Sequence, residues 1–358
     1  MKMIHLFIRE YLDKIAEKDK NVYFIFIDGF RIDWGVDLYR KYPDRVISAG
    51  ISEQNAFSIA TGLALSGKKV YLFLLAAYAT HRALDQLKMA SYSNVDINII
   101  TNFAGVGAYK AGYSHLTVDD LSVLRNTPNL KVFNPATENE IKAVMDYTYQ
   151  EKSPVYVRIE DGGYMEQCAP VNLDKYTYVK RGYSKCVIIA CGQIVHRLCD
   201  NNFYKQFLEK GICPTIMSAV HPCHFDTECL KQYVKKGYLI VSAEAHGSGG
   251  LSASVAEVLV SLNKKAKYIP IYIRDENFRS VGTSWYAIEK YLKLSSLPDL
   301  IADKLHSCKL IKIKCKDKGD KIKMRYKLLG IPVITKVIQN QKVKTYLFGF
   351  LKVSTCKI

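Results

Sequence analysis

Gly50-Ile51-Ser52-Glu53-Gln54-Asn55 leads into Ala60-Thr61-Gly62-Leu63-Ala64-Leu65-Ser66-Gly67. The short apolar run Val46 to Ala49 precedes it and is predicted to be a strand. A glycine turns the chain, and a helix is predicted over Glu53 to Ser66 with a carboxylate in its first turn. Helix N-termini favour negative charge, so the simplest role for Glu53 is electrostatic. Working outward, the same alternation repeats. Val22 to Ile27, Lys69 to Leu75, Ile97 to Thr101, Lys131 to Asn134 and Val155 to Ile159 have the β-branched, apolar character of buried strands. Thr80 to Ser91, Thr117 to Arg125 and Glu138 to Gln150 carry helical periodicity. The last opens on Thr137-Glu138-Asn139-Glu140, a capping box. Strands alternating with helices imply an α/β fold with a mostly parallel sheet covered on both faces.

Gly162-Gly163 and the polar stretch to Lys185 are expected to form a linker. A second α/β unit comes next, with strands over Cys186 to Ala190, Thr215 to Ser218, Tyr238 to Ala243 and near Ile269 to Ile273. Its helices are predicted over Val195 to Lys210, over Thr227 to Lys236, and from Gly247-Ser248-Gly249-Gly250 to about Leu262. The boundaries expected are 1–167, 168–308 and a tail over 309–358. The tail repeats an apolar patch around one glycine, Tyr326-Lys-Leu-Leu-Gly-Ile and then Tyr346-Leu-Phe-Gly-Phe, flanked by lysines. Small β-hairpin-like units are expected there.

Composition narrows the function classes. The chain has 358 residues, and 49% are hydrophobic, enough for a sizeable core. Its longest apolar run, Val70 to Ala79, is far short of the roughly 20 residues of a membrane span. Met1 to Glu10 carries Lys2, His5, Arg9 and Glu10 and lacks the features of a secretory signal. The formal charge is +17, but residues 309–358 hold 14 Lys/Arg against 2 acids. That is a net of +12, leaving only +5 on the first 308 residues. The basicity belongs to the tail, so a nucleic-acid-binding body is disfavoured. None of the ten cysteines lies in the first 167 residues. Reduced thiols in a cytoplasmic protein are expected. His221, Cys223, His224 and Cys229 cluster, but no C-x-x-C pair is present and Pro222 breaks the run. Buried or loop side chains are expected there in preference to a metal site.

Glu53 gains meaning from the residues downstream of it. The Gly62/Gly67 helix comes next, then an apolar strand reaching Tyr78, Arg82-Ala83-Leu84-Asp85-Gln86, and a glycine-rich loop to Ser114-His115. Asp119-Asp120-Leu121 with Leu124-Arg125, Asn134-Pro135-Ala136 and Gly249-Gly250-Leu251 complete the order. Over roughly residues 5 to 305 this order resembles the C-terminal section of transketolase. It is most similar to the separate C-terminal subunit of split bacterial transketolases.

The resemblance implies a thiamine diphosphate enzyme with a pyrimidine-binding domain followed by the small C-terminal domain of that family. Glu53 matches the family glutamate that hydrogen-bonds the pyrimidine N1' and activates the cofactor for carbanion chemistry. Tyr78 falls where the family has a stacking phenylalanine, and Leu75 replaces a second aromatic of the cofactor pocket. His115 matches a histidine that lines the substrate channel and aids proton transfer. His81 and Arg158 are further substrate-binding positions by the same resemblance. The ordinary alternatives are a capping carboxylate, a core aromatic and a solvated loop histidine.

Departures are informative. The family's Gly-Glu-Asp-Gly loop is here Gly107-Ala108-Tyr109-Lys110-Ala111-Gly112, without the acid that commonly binds a substrate hydroxyl. Asp161 stands where a phosphate-binding arginine is common, and the loop at Asp28-Gly29-Phe30 is also changed. An unusual sugar or sugar phosphate is therefore expected as substrate. The family's Gly-Asp-Gly metal motif is missing, since the one Gly-Asp, Gly319-Asp320, precedes Lys321. An N-terminal partner subunit is expected to hold the diphosphate and Mg²⁺ in an α2β2 assembly. The alternatives within and beyond this fold are the beta subunit of a 2-oxo acid dehydrogenase or decarboxylase, and a non-catalytic scaffolding homologue. Glu53-Gln54-Asn55 favours transketolase over the Glu-Gln-Gly more usual in the dehydrogenases. The tail resembles Lys-rich segments appended to bacterial capsule and surface-polysaccharide biosynthesis proteins. With Tyr326, Tyr346, Phe348 and Phe350 it suits an anionic membrane surface or an acidic partner.

Overall fold

A computed structural model describes residues 4–27, 35–160, 171–262, 266–274, 284–305, 311–318, 321–328, 331–339, 342–347 and 351–357. Asp28-Gly29-Phe30, Asp161, Gly162-Gly163, Gly319-Asp320, Phe348 and Phe350 lie outside the described residues. So do Leu329 and Gly330 of the first tail repeat.

The first sheet contains β1 (Val22–Ile27), β2 (Val46–Gly50), β3 (Lys69–Leu75), β4 (Ile97–Ala104), β5 (Lys131–Phe133) and β6 (Val155–Glu160). Its order is β2-β1-β3-β4-β6-β5, and every pairing is parallel. Parallel strands need crossovers, and the helices that make them cover both faces. β3 and β6 are buried almost throughout, which is why β3 appears in the sequence as a nearly continuous apolar run and β6 as one interrupted only by Arg158 and Glu160. One face packs Phe24, Tyr71 and Val157 against Leu12 and Val144; the other packs Ile25, Leu72 and Ile99 against Phe57 and Leu87. Burying a residue of this size stabilises by about 1.5–3 kcal/mol.

The second sheet contains β7 (Thr177–Lys180), β8 (Cys186–Ala190), β9 (Thr215–Ser218), β10 (Leu239–Ala243) and β11 (Lys267–Ile271), in the order β11-β10-β8-β9-β7. Only β7 is antiparallel. It falls in the stretch expected to be a linker. Four residues without clear alternation give little strand signal, and pairing with β9 supplies the order that local sequence does not.

Two predicted helices are each broken in two. Val195 to Lys210 becomes Gln193–Cys199 and Asn201–Glu209, because Asp200 leaves helical geometry and caps the second helix through Phe203 N at 2.9 Å. Thr80 to Ser91 becomes Ala76–His81 and Leu84–Tyr92. The apolar strand expected to reach Tyr78 ends at Leu75, so Tyr78 is helical. The helix expected over Thr117 to Arg125 is shorter, Asp120–Leu124. Glu138–Gln150 agrees with expectation, and Thr137 Oγ1 accepts from Glu140 N at 3.2 Å. The Glu140 carboxylate reaches back to the start of the helix, accepting from Ala136 N at 2.8 Å.

The tail forms a third sheet of β12 (Ile311–Lys318), β13 (Lys321–Leu328), β14 (Ile331–Gln339), β15 (Lys342–Leu347) and β16 (Leu351–Lys357). The strands follow one another antiparallel, so the expected hairpins join into one meander. No helix among the described residues is long and apolar enough to cross a membrane.

Candidate active site at the carboxyl ends of the first sheet

In a doubly wound sheet, ligands bind beyond the carboxyl ends of the strands, where the strand order reverses. Here the order reverses about β1. Glu53 opens the helix after β2, and Tyr78 lies in the short helix after β3, so the two flank that point. Gly50 ends β2 at φ +66°, a conformation that favours glycine, and Ser52 Oγ donates to Ala49 O at 2.6 Å. This local turn sets Glu53 inward, and it is only 6% exposed.

The Glu53 carboxylate accepts from Arg82 Nη1 at 2.8 Å, and the Arg82 guanidinium lies 3.9 Å over the centre of the Tyr78 ring. A carboxylate and an aromatic face therefore hold one planar, N–H-bearing group between them. That arrangement fits an aminopyrimidine, which needs a stacking face and a carboxyl partner. Leu75, half-buried at the end of β3, adjoins the same helix.

His115 lies in a 3-10 turn, Tyr113–His115, after β4. Its Nε2 is 2.9 Å from the Tyr78 hydroxyl, and its Nδ1 is 2.8 Å from Ser114 Oγ. Hydroxyls donate or accept, so both ring tautomers keep both partners. His81 is exposed, with Nε2 3.2 Å from Asp119 Oδ1. Glu53, Tyr78 and His115 thus form one connected group with Arg82, which the sequence pattern quoted without a role.

Arg158 is placed differently from the expectation that it binds substrate. It is fully buried. Its Nε donates to Asp120 at 2.8 Å, its Nη1 to Glu160, and its Nη2 to Ala245 O at 3.2 Å. Three of its five N–H donors go to two carboxylates and a carbonyl, and the side chain has no exposed surface in this chain. Burial opposes ionisation of Asp120, but Arg158 and His246 outweigh it and hold the carboxyl down to about 2. His246 Nε2 lies 3.4 Å from Asp120 Oδ1 and also accepts from Leu121 N at 3.0 Å. The amide bond needs a bare Nε2, whereas Asp120 favours a proton on that atom. Glu160 also accepts from Asn134 Nδ2 and from Gln193 N, at 3.0 and 2.9 Å. Glu244 caps the helix Leu251–Ser261 through Leu251 N and Ser252 N, both at 2.7 Å. The Gly249-Gly250 pair is explained by these contacts. A Cβ on Gly249 would meet Ser122 Oγ at 2.1 Å, and one on Gly250 would meet Glu244 at 2.2 Å.

Among the described residues no group of three or more His, Cys, Asp or Glu is arranged to hold a metal ion. His221 is buried against Phe133 and His224, and burial pushes it down to about 3. Burial likewise raises the Cys223 thiol, to about 12. Cys186, Cys191, Cys199, Cys213, Cys223 and Cys229 are free thiols.

The sequence profile of the transketolase pyrimidine-binding domain matches residues 3–166. The chain is 30% identical over 230 residues to an apulose-4-phosphate transketolase subunit of Actinobacillus succinogenes, covering 62% of this chain and 71% of that one. It is 29% identical over 252 residues to a putative transketolase C-terminal section of Methanocaldococcus jannaschii, covering 67% and 77%. A split-gene transketolase solved as an inactive β4 tetramer superposes with a TM-score of 0.69 at 24% identity, over 83% of this chain and 96% of that one. With the α/β topology and the profile match, these similarities identify the chain as a member of the transketolase family, related to its separate C-terminal subunits.

Proposed function

We propose that this chain supplies the pyrimidine side of a thiamine diphosphate site in a split transketolase that moves a two-carbon ketol unit between sugars. The observation that carries this is the Glu53–Tyr78 pair holding a flat, N–H-bearing group at the carboxyl ends of a parallel sheet. When bound, thiamine diphosphate supplies a carbon nucleophile able to cleave and re-form the bond beside a carbonyl. Glu53 offers a buried carboxyl to hold a proton at the pyrimidine N1', Tyr78 offers its ring for stacking, and Leu75 an apolar flank. His115, fixed by Tyr78 and Ser114, is suited to give and take a proton at a substrate oxygen. His81, exposed beside Asp119, is a second substrate contact.

The diphosphate and Mg²⁺ are assigned to an N-terminal partner subunit in an α2β2 assembly. The missing Gly-Asp-Gly motif supports this reading. The substrate is assigned to the unusual sugars of surface-polysaccharide synthesis, on the altered loop 107–112 and the resemblance of the tail. The test is reconstitution with the partner, followed by a ketose screen. The pair is expected to bind thiamine diphosphate with Mg²⁺ and to transfer ketol units, while the isolated chain binds at least tenfold more weakly by calorimetry. Tight, metal-dependent binding by the isolated chain would overturn the split site. Release of carbon dioxide from 2-oxo acids without ketol transfer would favour the dehydrogenase alternative.

The tail is assigned to an anionic membrane surface. Each surface lysine contributes about 1 kcal/mol at low salt, screened over a Debye length of roughly 8 Å at physiological ionic strength. Full-length protein is expected to sediment with anionic vesicles at low salt and to release as salt rises. Truncation after Ser307 is expected to abolish sedimentation and leave ketol transfer nearly unchanged. Loss of activity on truncation would instead make the tail part of the core or of the subunit interface.

A further inference from the structure

The guanidinium of Arg82 already makes both contacts that the pyrimidine seat offers. It is planar and delocalised, as an aminopyrimidine is. It stacks 3.9 Å over the Tyr78 ring and donates to Glu53 Oε1 at 2.8 Å. Its position suits a removable group. Arg82 sits at the break between the helices Ala76–His81 and Leu84–Tyr92, not within either. Its side chain is 44% exposed, against 7% for that of Glu53. The arginine therefore closes the open side of a buried carboxylate and can leave into water without uncovering a core.

We propose that Arg82 is a built-in placeholder: its guanidinium fills the seat between Glu53 and Tyr78 in the unloaded chain and swings out when a cofactor pyrimidine enters. The placeholder rests on the assignment of Glu53 and Tyr78 as that seat. It gives the chain a reason to keep an arginine there. A buried carboxylate without a partner is costly, and a separately made subunit must carry Glu53 through folding before any cofactor arrives. The consequence is kinetic. Only the fraction of chains with Arg82 displaced can accept cofactor, so apparent affinity and association rate fall by that fraction.

The test compares wild type and Arg82→Gln, each reconstituted with the partner subunit, by rapid-mixing fluorescence with thiamine diphosphate and Mg²⁺. Exposed ion pairs and cation–π contacts each contribute up to about 1 kcal/mol, so association by the variant is expected to be about tenfold faster. Unchanged or slower association overturns the placeholder. A second measurement uses the isolated chain and needs no cofactor. Arg82→Gln is expected to lower Tm by about 2 °C or more when residue 53 is Glu, and by much less in the Glu53→Gln background. Equal losses in both backgrounds also overturn it. If the wild-type pair takes up no thiamine diphosphate, the proposed function fails and the placeholder with it. If wild type binds and Arg82→Gln is no faster, the placeholder alone fails.

Discussion

Glu53→Gln in the reconstituted pair is expected to lower turnover about 10²-fold or more while leaving the fold intact. The fold should survive because the substitution is nearly isosteric. An amide oxygen at residue 53 still accepts from Arg82, and the turn at Gly50 and Ser52 does not involve the side chain of residue 53. Activity should not survive. An amide holds a hydrogen bond at N1' but cannot take up and return a proton there. The loss should appear in kcat more than in cofactor affinity, because stacking on Tyr78 is untouched. Steady-state ketol transfer, cofactor titration and a thermal melt separate the three effects. Turnover within a few-fold of wild type, with cofactor bound, would remove Glu53 from the chemistry and with it the functional assignment.

The first sheet was legible because its strands are buried on both faces and its helices are long enough to show their period. Glu53 was legible because a strand, a glycine at positive φ and a helix start leave few places for a carboxylate. The break at Arg82 was not, because Ala76 to Leu87 is apolar at both helical and extended spacings. The interruption is visible only in the folded chain, where the Arg82 and Ala83 N–H groups both close on Tyr78 O, at 3.2 and 3.1 Å. β7 was hidden for a similar reason, since its order comes from β9. The buried ion network was missed most completely. Asp120, the Arg158 and Glu160 pair and the Glu244 and His246 pair come from three segments far apart in sequence, and charged residues are ordinarily exposed. One signal was available: Arg158 and Glu160 both fall inside an otherwise apolar strand, and a charge in such a run needs a buried counter-charge.

Arg158→Met is the substitution expected to cost the most stability. It is close in size and removes the charge that holds Asp120 and Glu160, both essentially without solvent exposure. Breaking a buried pair by removing one partner costs about 3–5 kcal/mol, because the remaining charges are left uncompensated. The loss falls where the two sheets meet, since Arg158 also donates to Ala245 O and Asp120 lies beside His246. Lysine should rescue poorly, since one ammonium cannot reproduce a fork that bonds both acids and a carbonyl. The sign of the pH dependence comes from Asp120. Its carboxyl is held below its ordinary value of 3.8, at about 2, so its contribution is fully present above pH 4 and is lost as pH falls toward 2. Wild-type stability should drop across that interval. In Arg158→Met the Asp120 carboxyl loses its main counter-charge and takes up a proton at higher pH, which removes its burial penalty. The gap between wild type and variant should therefore be widest near neutral pH and narrow below pH 4. Denaturant melts of both proteins between pH 3 and pH 8 give the comparison. A gap that stays constant with pH, or a variant within 1 kcal/mol of wild type at pH 7, would mean that packing rather than charge holds this junction.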